Sequence, residues 1–444
     1  MSENREIEMV FSSCSIWLKD WLEADEPILA DEWDLETWME HEMKDAVNTF
    51  LSFGFKTSKA RIDALAVLRA LFYEYFLFQQ ERMKRCLNAN PDSVERLPKL
   101  QQSAQKSATW HAESREMLSG HEFGPVCVGS QSERLAVLMK KCAPEITICE
   151  KNDNDSRTVF LTSEDGKLSA FKWGWRYEPV ARMLYEQCIS DLDGVATTVF
   201  DGLGRIRHAT LPRLGASPDG LITAGSRLGR LLEIKCPPTR EMDNKVPSHY
   251  YCQMQLQAEV CDVEAVEYLE VQFSALPQEK ATIEILKKGF KPWIGKICVC
   301  ADNTESSPND YRYEYSPLFP NTEEGIQNCL AWNPSGIILE SSIWYIKNWF
   351  HTTVLRNKRW WDAIGYPAYM DFWKDVEMAR SDGRFKPRAL FVDSASEHED
   401  DETSEEQVDN GPASHNTAVG SGETSSDGTN DVSAKRAGRW LGVD

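Results

Sequence analysis

Two acids and a lysine, Asp219, Glu233 and Lys235, stand in Ser217-Pro218-Asp219-Gly220 and Leu232-Glu233-Ile234-Lys235-Cys236-Pro237. Their spacing suits a site that hydrolyses phosphodiesters around a divalent cation. Asp219 and Glu233 are symmetric about Ser226, within Ala224-Gly225-Ser226-Arg227, where glycine and serine favour reversal of the chain. With Leu221-Ile222 and Arg230 to Ile234 as the arms of a hairpin, the two acids stand opposite each other. Opposed residues bring their β-carbons to about 4.5–5.5 Å, so two carboxylates can share one ion. Lys235 projects from the same face as Glu233, about 6.6 Å further along the strand. An oxygen-only donor set suits a hard ion, Mg²⁺ or Mn²⁺. The amine can orient or help deprotonate the attacking water and offset charge building on a phosphate. A plainer interpretation stands beside this one. Ser-Pro-Asp-Gly is a good turn, Glu-x-Lys is an ordinary strand face, and taken singly each is more often structural. The conjunction is what favours chemistry.

Such residues need a scaffold, and composition sets its limits. The chain has 444 residues and 41% hydrophobic content, enough for one large catalytic domain with additions or for two to three domains. A net charge of −21 argues against a partner as acidic as nucleic acid until its distribution is considered. Residues 1–50 carry −11 and residues 391–434 carry −12, which leaves +2 for the rest. A locally basic groove in the middle is therefore compatible with the composition. The 12 cysteines include no Cys-x-x-Cys pair, and the 8 histidines do not cluster with them. Reduced thiols, neither a zinc site nor a disulfide framework, are expected. Glu3, Glu6 and Glu8 open the chain without an apolar signal core, and Arg69 and Glu74 interrupt its most apolar stretch, Ala64 to Phe78. A soluble intracellular protein with no membrane partner is expected, with nucleus or cytoplasm left open.

Along the chain, residues 1–55 are acidic and tryptophan-rich and suggest short helices. Ser58 can cap a helix over 58–87 with Ile62, Leu65, Leu68 and Phe72 on one face. Asn88 to Pro98 reads as a linker. Glu178 to Cys188 reads as a helix with Pro179 in its first turn and Val180, Leu184 and Cys188 on one face. A further helix is expected over 247–260, with strands over Val266 to Phe273 and Tyr311 to Tyr315. Residues 341–380 read as an aromatic-rich helical region whose Trp344, Trp349, Trp360, Trp361 and Trp373 serve the core rather than stack on bases. Val392 to Ala434 has almost no large apolar side chain and is expected to be disordered. The implied division is an acidic helical region over 1–99, a core over 100–320, a helical extension over 321–391 and an acidic tail over 392–444. The tail either aids solubility or competes electrostatically with nucleic acid for the groove.

Four blocks in order resemble the YqaJ-type viral recombinases, the phage lambda exonuclease-like nucleases of the PD-(D/E)XK superfamily. The first is Trp110-His111-Ala112-Glu113-Ser114-Arg115 through Ser119-Gly120-His121-Glu122-Phe123-Gly124. The second is Trp173-Gly174-Trp175-Arg176-Tyr177-Glu178-Pro179-Val180-Ala181, similar to the family's Gly-x-x-x-Glu-x-x-Ala helix. The Asp219 and Glu233-Lys235 motifs form the third, and Tyr250-Tyr251-Cys252-Gln253-Met254-Gln255 the fourth, similar to a Tyr-x-x-Gln-x-Gln helix. Together they span roughly residues 100–290, and the third block is the most specific. Two departures stand out. Ser119-Gly120-His121 replaces the usual Thr-Ala-Ser, and the arginine falls at Arg115, one position later than in some relatives, with Ser114 before it.

The resemblance implies an α+β (α/β) fold: a restriction-endonuclease-like core in which helices flank a central mixed sheet, with helical additions at both ends. It implies Asp219, Glu233, Lys235 and Gln253 as catalytic residues. Glu178, Asp219, Glu233 and the Ile234 carbonyl would be the metal ligands, with Mg²⁺ or Mn²⁺ as cofactor. Arg115, Ser119 and His121 would bind phosphate. The expected activity is a Mg²⁺-dependent DNA exonuclease, working 5′ to 3′ on duplex ends in recombination or repair. An endonuclease or flap nuclease with the same site remains an alternative, as does a non-catalytic DNA- or protein-binding platform. A single-strand annealing or recombination protein and further copies of the chain are open as partners.

Overall fold

The computed structural model describes Lys44 and residues 58–104, 108–142, 168, 170–287, 292–302 and 311–382. The expectations for 1–55, Lys44 apart, and for the tail from 392 lie outside the described residues. Helix α1 (Ser58–Leu87) covers the predicted span, but its apolar face is only partly covered: Leu68 is buried while Ile62 is 65% exposed. The expected linker after it contains a short helix, α2 (Pro91–Arg96). Asn90 caps it through Oδ1, which accepts from Ser93 N at 3.3 Å, and Pro91 sits where a missing N–H costs nothing.

Strand β1 (Gln102–Ser103) and helices α3 (Ala108–Ser114), α4 (Gly120–Cys127) and α5 (Gln131–Cys142) precede the long helix α6 (Ala170–Asp193). Strands β2 (Thr198–Phe200), β3 (Arg205–Arg207), β4 (Gly215–Ala216), β5 (Gly220–Ala224) and β6 (Leu231–Lys235) follow. After them come α7 (Ser248–Cys261), β7 (Ala265–Pro277), α8 (Ile283–Lys287), β8 (Trp293–Ala301), β9 (Arg312–Tyr315) and β10 (Phe319–Pro320). The described chain closes with α9 (Glu323–Ala331), β11 (Ile337–Leu355), α10 (Lys358–Trp360) and α11 (Tyr366–Ser381).

Among the described residues the main sheet runs β10-β8-β11-β7-β6-β5-β2, with β9 also on β8, while β1, β3 and β4 form a small separate sheet. The β6–β7 pair is parallel and α7 connects it; the other pairings in the main sheet are antiparallel. This is the expected mixed sheet flanked by helices. Alternation along the strands sorts side chains to two faces. Leu221, Leu231, Val266 and Tyr268 pack with α4, α5, α7 and α11 on one side. Ile222, Leu232, Ile234, Leu269 and Val271 pack against Tyr177, Val180, Ala181, Leu184 and Cys188 of α6 on the other.

Two sequence expectations need correction. Residues 337–355 are a strand, not helix, and β11 lies between β8 and β7, so this segment belongs to the same sheet as the core. Its run of β-branched and aromatic residues favours strand. A register shift between Ile346 and Asn348 interrupts the alternation that would have revealed it. Trp344, Trp349, Trp361 and Trp373 are nevertheless buried, as expected. The second correction concerns Pro179, which lies inside α6 rather than in its first turn because the helix begins at Ala170. Packing of the α6 apolar face on the sheet outweighs the lost N–H.

At the start of β7, Glu267 is fully buried and accepts from Arg227 Nη1 (2.6 Å), Arg230 Nη1 (2.7 Å) and Thr353 Oγ1 (3.0 Å), with His351 Nε2 at 2.6 Å. Burial alone would raise its pKa, but Arg227, His351 and Arg230 hold it well below the usual Glu range. The cluster ties the β5–β6 reversal to β7 and β11. Glu267→Ala takes the carboxylate from the buried Arg230 and one of two from Arg227, which keeps Asp193, and is expected to cost about 3 kcal/mol in urea denaturation. Because the folded pKa is depressed, this contribution is present above the unfolded Glu value. It fades as pH falls through the lower folded value, so the variant and the native chain should converge in acid.

Candidate active site

The β5–β6 hairpin pairs Gly220 with Leu232 and Leu221 with Leu231, so the next step outward aligns Asp219 with Glu233, the register the sequence predicts. Gly225 takes φ +103° at the reversal, which a side chain would disfavour. At Gly220 a β-carbon would stand 2.4 Å from Val199 Cγ1, so glycine lets β2 close on the strand that Asp219 starts. Asp219 Oδ2 accepts from the Ile234 amide at 2.8 Å, extending the ladder with a side chain where backbone pairing ends.

Glu233 is fully buried on the α7 side of the sheet. Its Oε1 accepts from Gln253 Nε2 at 2.6 Å and lies 2.7 Å from Lys235 Nζ, and its Oε2 accepts from Gln257 Nε2 at 2.6 Å. Lys235 Nζ also donates to Gln253 Oε1 at 3.3 Å and sits 4.6 Å from the centre of the Tyr250 ring. Burial works against the lysine's charge, but Glu233 and Asp219 outweigh it and hold its pKa above the usual value. Asp219 is pushed well above the ordinary Asp range, first by desolvation and then by the charges of Glu233 and Glu178. Glu178 belongs to α6, in the other layer, yet its charge reaches Asp219 and Cys236.

The donor chemistry of Asp219 and Glu233 fits a hard divalent cation. The donors are all oxygen, and the carboxylates are crowded enough to repel protonless neighbours. Among the described residues, however, no group of three or more His, Cys, Asp or Glu side chains is disposed to hold a metal ion. The charges of Glu233 and Glu178 both bear on Asp219.

The first sequence block arrives through α4. A β-carbon on Gly120 would meet Gln253 Cγ at 2.9 Å, and one on Gly124 would meet His249 Cα at 2.8 Å. These two glycines, one turn apart, let α4 lie directly on α7 and bring Ser119 and His121 beside Gln253. Ser119 is buried, and its amide and hydroxyl donate to Glu122 Oε2 at 3.0 and 2.9 Å. His121 is exposed, with Nδ1 3.2 Å from Ser119 Oγ. Lys141 Nζ clamps Glu122 at 2.6 Å.

Arg115 keeps different company. Glu116, Cys142 and Arg380 of α11 surround it, and its Nε is buried without a hydrogen-bond partner. At Ser114 a guanidinium comes instead from β3. Arg205 donates to Ser114 Oγ at 3.2 Å and to the Trp110 carbonyl at 2.7 Å, and stacks on the Trp110 ring at 4.1 Å.

Sequence reasoning missed Gln257 and Arg205. Gln257 lies four residues after Gln253 on one helix face, and that spacing was a usable signal. Arg205 meets Ser114 only through the fold, and no local pattern announces it. Gln255, part of the Tyr-x-x-Gln-x-Gln pattern, faces away: its Nε2 donates to the Leu355 carbonyl at 2.8 Å and its Oε1 accepts from Asn357 N at 2.7 Å.

Residues 109–264 match the family model described as the YqaJ-like viral recombinase domain, in agreement with the resemblance drawn from the sequence. A curated relative, the uncharacterized protein R354 of Acanthamoeba polyphaga mimivirus, is 22% identical over 273 residues, 55% of this chain. The chain spans 45% of that relative's length. Among solved structures, the alkaline exonuclease LHK-Exo from Laribacter hongkongensis is 15% identical at a TM-score of 0.33, covering 63% of this chain and 96% of that one. Its complex with dAMP gives 15% identity and a TM-score of 0.32, covering 63% of this chain and 100% of that one. No helix among the described residues is long and apolar enough to cross a membrane, and no disulfide joins the ten described cysteines.

The α4–α7 contact has a measurable consequence. The Gly124 clash is with His249 backbone, which cannot swing aside. Gly124→Val is therefore expected to cost at least about 1–3 kcal/mol in thermal or urea unfolding. Gly120 faces the movable Gln253 side chain, and Gly120→Ala should cost clearly less in the same measurement.

Proposed function

We propose that the chain is a divalent-metal-dependent DNA nuclease. The observation that most supports this reading is the meeting of the Lys235 amine, the Glu233 carboxylate and the Gln253 amide beside Asp219. Asp219, Glu233 and the Ile234 carbonyl would hold the metal, with Glu178 supporting it from α6. A dication there supplies Lewis acidity and a water of lowered pKa.

Lys235, held charged by its two acidic neighbours, donates to the attacking water and offsets negative charge at the scissile phosphate. Gln253 can transfer its second N–H to that phosphate while still holding Glu233. Ser119 and His121, on either side of the Gly120 that meets Gln253, would anchor a terminal or neighbouring phosphate through charge-assisted bonds, whereas Arg115 packs with Glu116, Cys142 and Arg380 and is not counted in that anchor. Duplex ends as substrate, 5′ to 3′ polarity and a place in recombination or repair come with the family resemblance, which supports them.

Digestion of end-labelled linear duplexes, bearing a 5′-phosphate or a 5′-hydroxyl, with and without Mg²⁺, tests the proposal. Asp219→Ala, Glu233→Ala and Lys235→Ala are each expected to lower the rate by about three decades, some 4 kcal/mol of barrier. Lys235→Ala should still bind the duplex. Near-native cleavage by that variant would remove Lys235 from the chemistry. Loss of label from the 3′ end first, or cleavage of closed circles, would replace the 5′ exonuclease reading with another nuclease activity.

A further inference from the structure

We propose that Gln257 is a positioning residue that fixes the plane of the Glu233 carboxylate, a role that rests on the nuclease reading above. Helix α7 presents Gln253 and Gln257 one turn apart, so both amides reach the same strand residue. Gln253 Nε2 takes Glu233 Oε1 and Gln257 Nε2 takes Oε2, each at 2.6 Å, while Lys235 Nζ approaches Oε1 at 2.7 Å. Rotation of the carboxylate about its last bond would break contacts on both oxygens. The direction in which its remaining lone pairs point, and hence its aim toward a shared cation with Asp219, is set by this grip.

Gln257 is 1% exposed, so it is no phosphate ligand. Its orientation is not arbitrary either. An ionised carboxylate only accepts, which turns Nε2 toward Glu233 and Oε1 away. There Oε1 is buried with no hydrogen-bond partner among the described residues. A buried carbonyl oxygen without a donor is destabilising, and Leu or Met of similar volume would avoid that cost. The amide therefore serves through its N–H. Gln255 gives the contrast: both ends of its amide are paired, with Leu355 and Asn357, and it fastens the helix to the end of β11.

The test uses the full chain with Gln257→Met, isosteric and without a donor, and Gln257→Asn, which keeps an amide one methylene short. Mn²⁺ affinity is measured by calorimetry without DNA, and kcat and KM for duplex cleavage are measured separately. Residues that orient metal ligands typically matter by about 10- to 100-fold, so the Met variant should lose that much in Mn²⁺ affinity and kcat, with KM for DNA within about twofold. Loss of the N–H leaves the buried Glu233 Oε2 one donor short, so the melting temperature should fall modestly, and Asn should recover part of the loss in Mn²⁺ affinity. Native Mn²⁺ affinity in the Met variant would overturn the role. So would a loss that tracks melting temperature and falls on KM as much as on kcat. If Met fails to fold, the Asn variant decides by the same two measurements. A native chain that binds Mn²⁺ but cleaves no DNA would sink the nuclease reading alone, leaving the Mn²⁺ comparison to judge Gln257.

Discussion

Burying a carboxylate is costly unless donors converge on it, and Glu233, with no solvent exposure, is the point around which the candidate site is organised. Three donors from two elements reach its two oxygens: Lys235 from its own strand, and Gln253 and Gln257 from α7. The arrangement constrains far more than one side chain. α7 must lie at a fixed height over β6, and the β6-α7-β7 unit with its parallel pairing supplies that height. α4 must then touch α7 closely, which explains glycine at both 120 and 124. The site is thus rigid in the places where its charges meet.

One register step away, β7 carries a second buried carboxylate on the opposite face of the sheet, and the contrast is instructive. Glu267 is surrounded by cations and is held well below its usual pKa, so it behaves as a fixed anion that ties β7 to the hairpin. Asp219 is raised well above its usual value because desolvation and its acidic neighbours dominate. Glu267 has its negative charge satisfied by arginines, while at Asp219 desolvation and acidic neighbours outweigh Lys235; perturbation of that kind is common where a site does chemistry, which is what sets the two carboxylates apart.

Much of this was legible in the chain itself. The symmetry of Asp219 and Glu233 about Ser226 predicted the hairpin register, because pairing has a fixed period and the turn chemistry located its centre. α1 followed from apolar spacing, and the helix expected over 247–260 is α7. The 337–355 strand was misread because its middle is aromatic-rich and its register shifts twice, between Ile338 and Glu340 and between Ile346 and Asn348, so neither period is clean. Pro179 was misplaced because local preference was given more weight than burial of the α6 face. Arg205 was invisible, since its contact with Ser114 spans 91 residues and depends on tertiary packing.

The two layers around the sheet bear differently on the acidic site. Glu233, Lys235, Gln253 and Gln257 belong to the layer built by α4 and α7, and their contacts are direct. Glu178 is carried by α6 and acts across the end of the sheet through its charge. Its charge adds to desolvation and to Glu233 among the causes that raise the pKa of Asp219, and in a desolvated site such charge is weakly screened. The α7 layer therefore supplies the donors on Glu233, and the α6 layer adds negative charge at Asp219, so two separate layers meet at one pair of carboxylates.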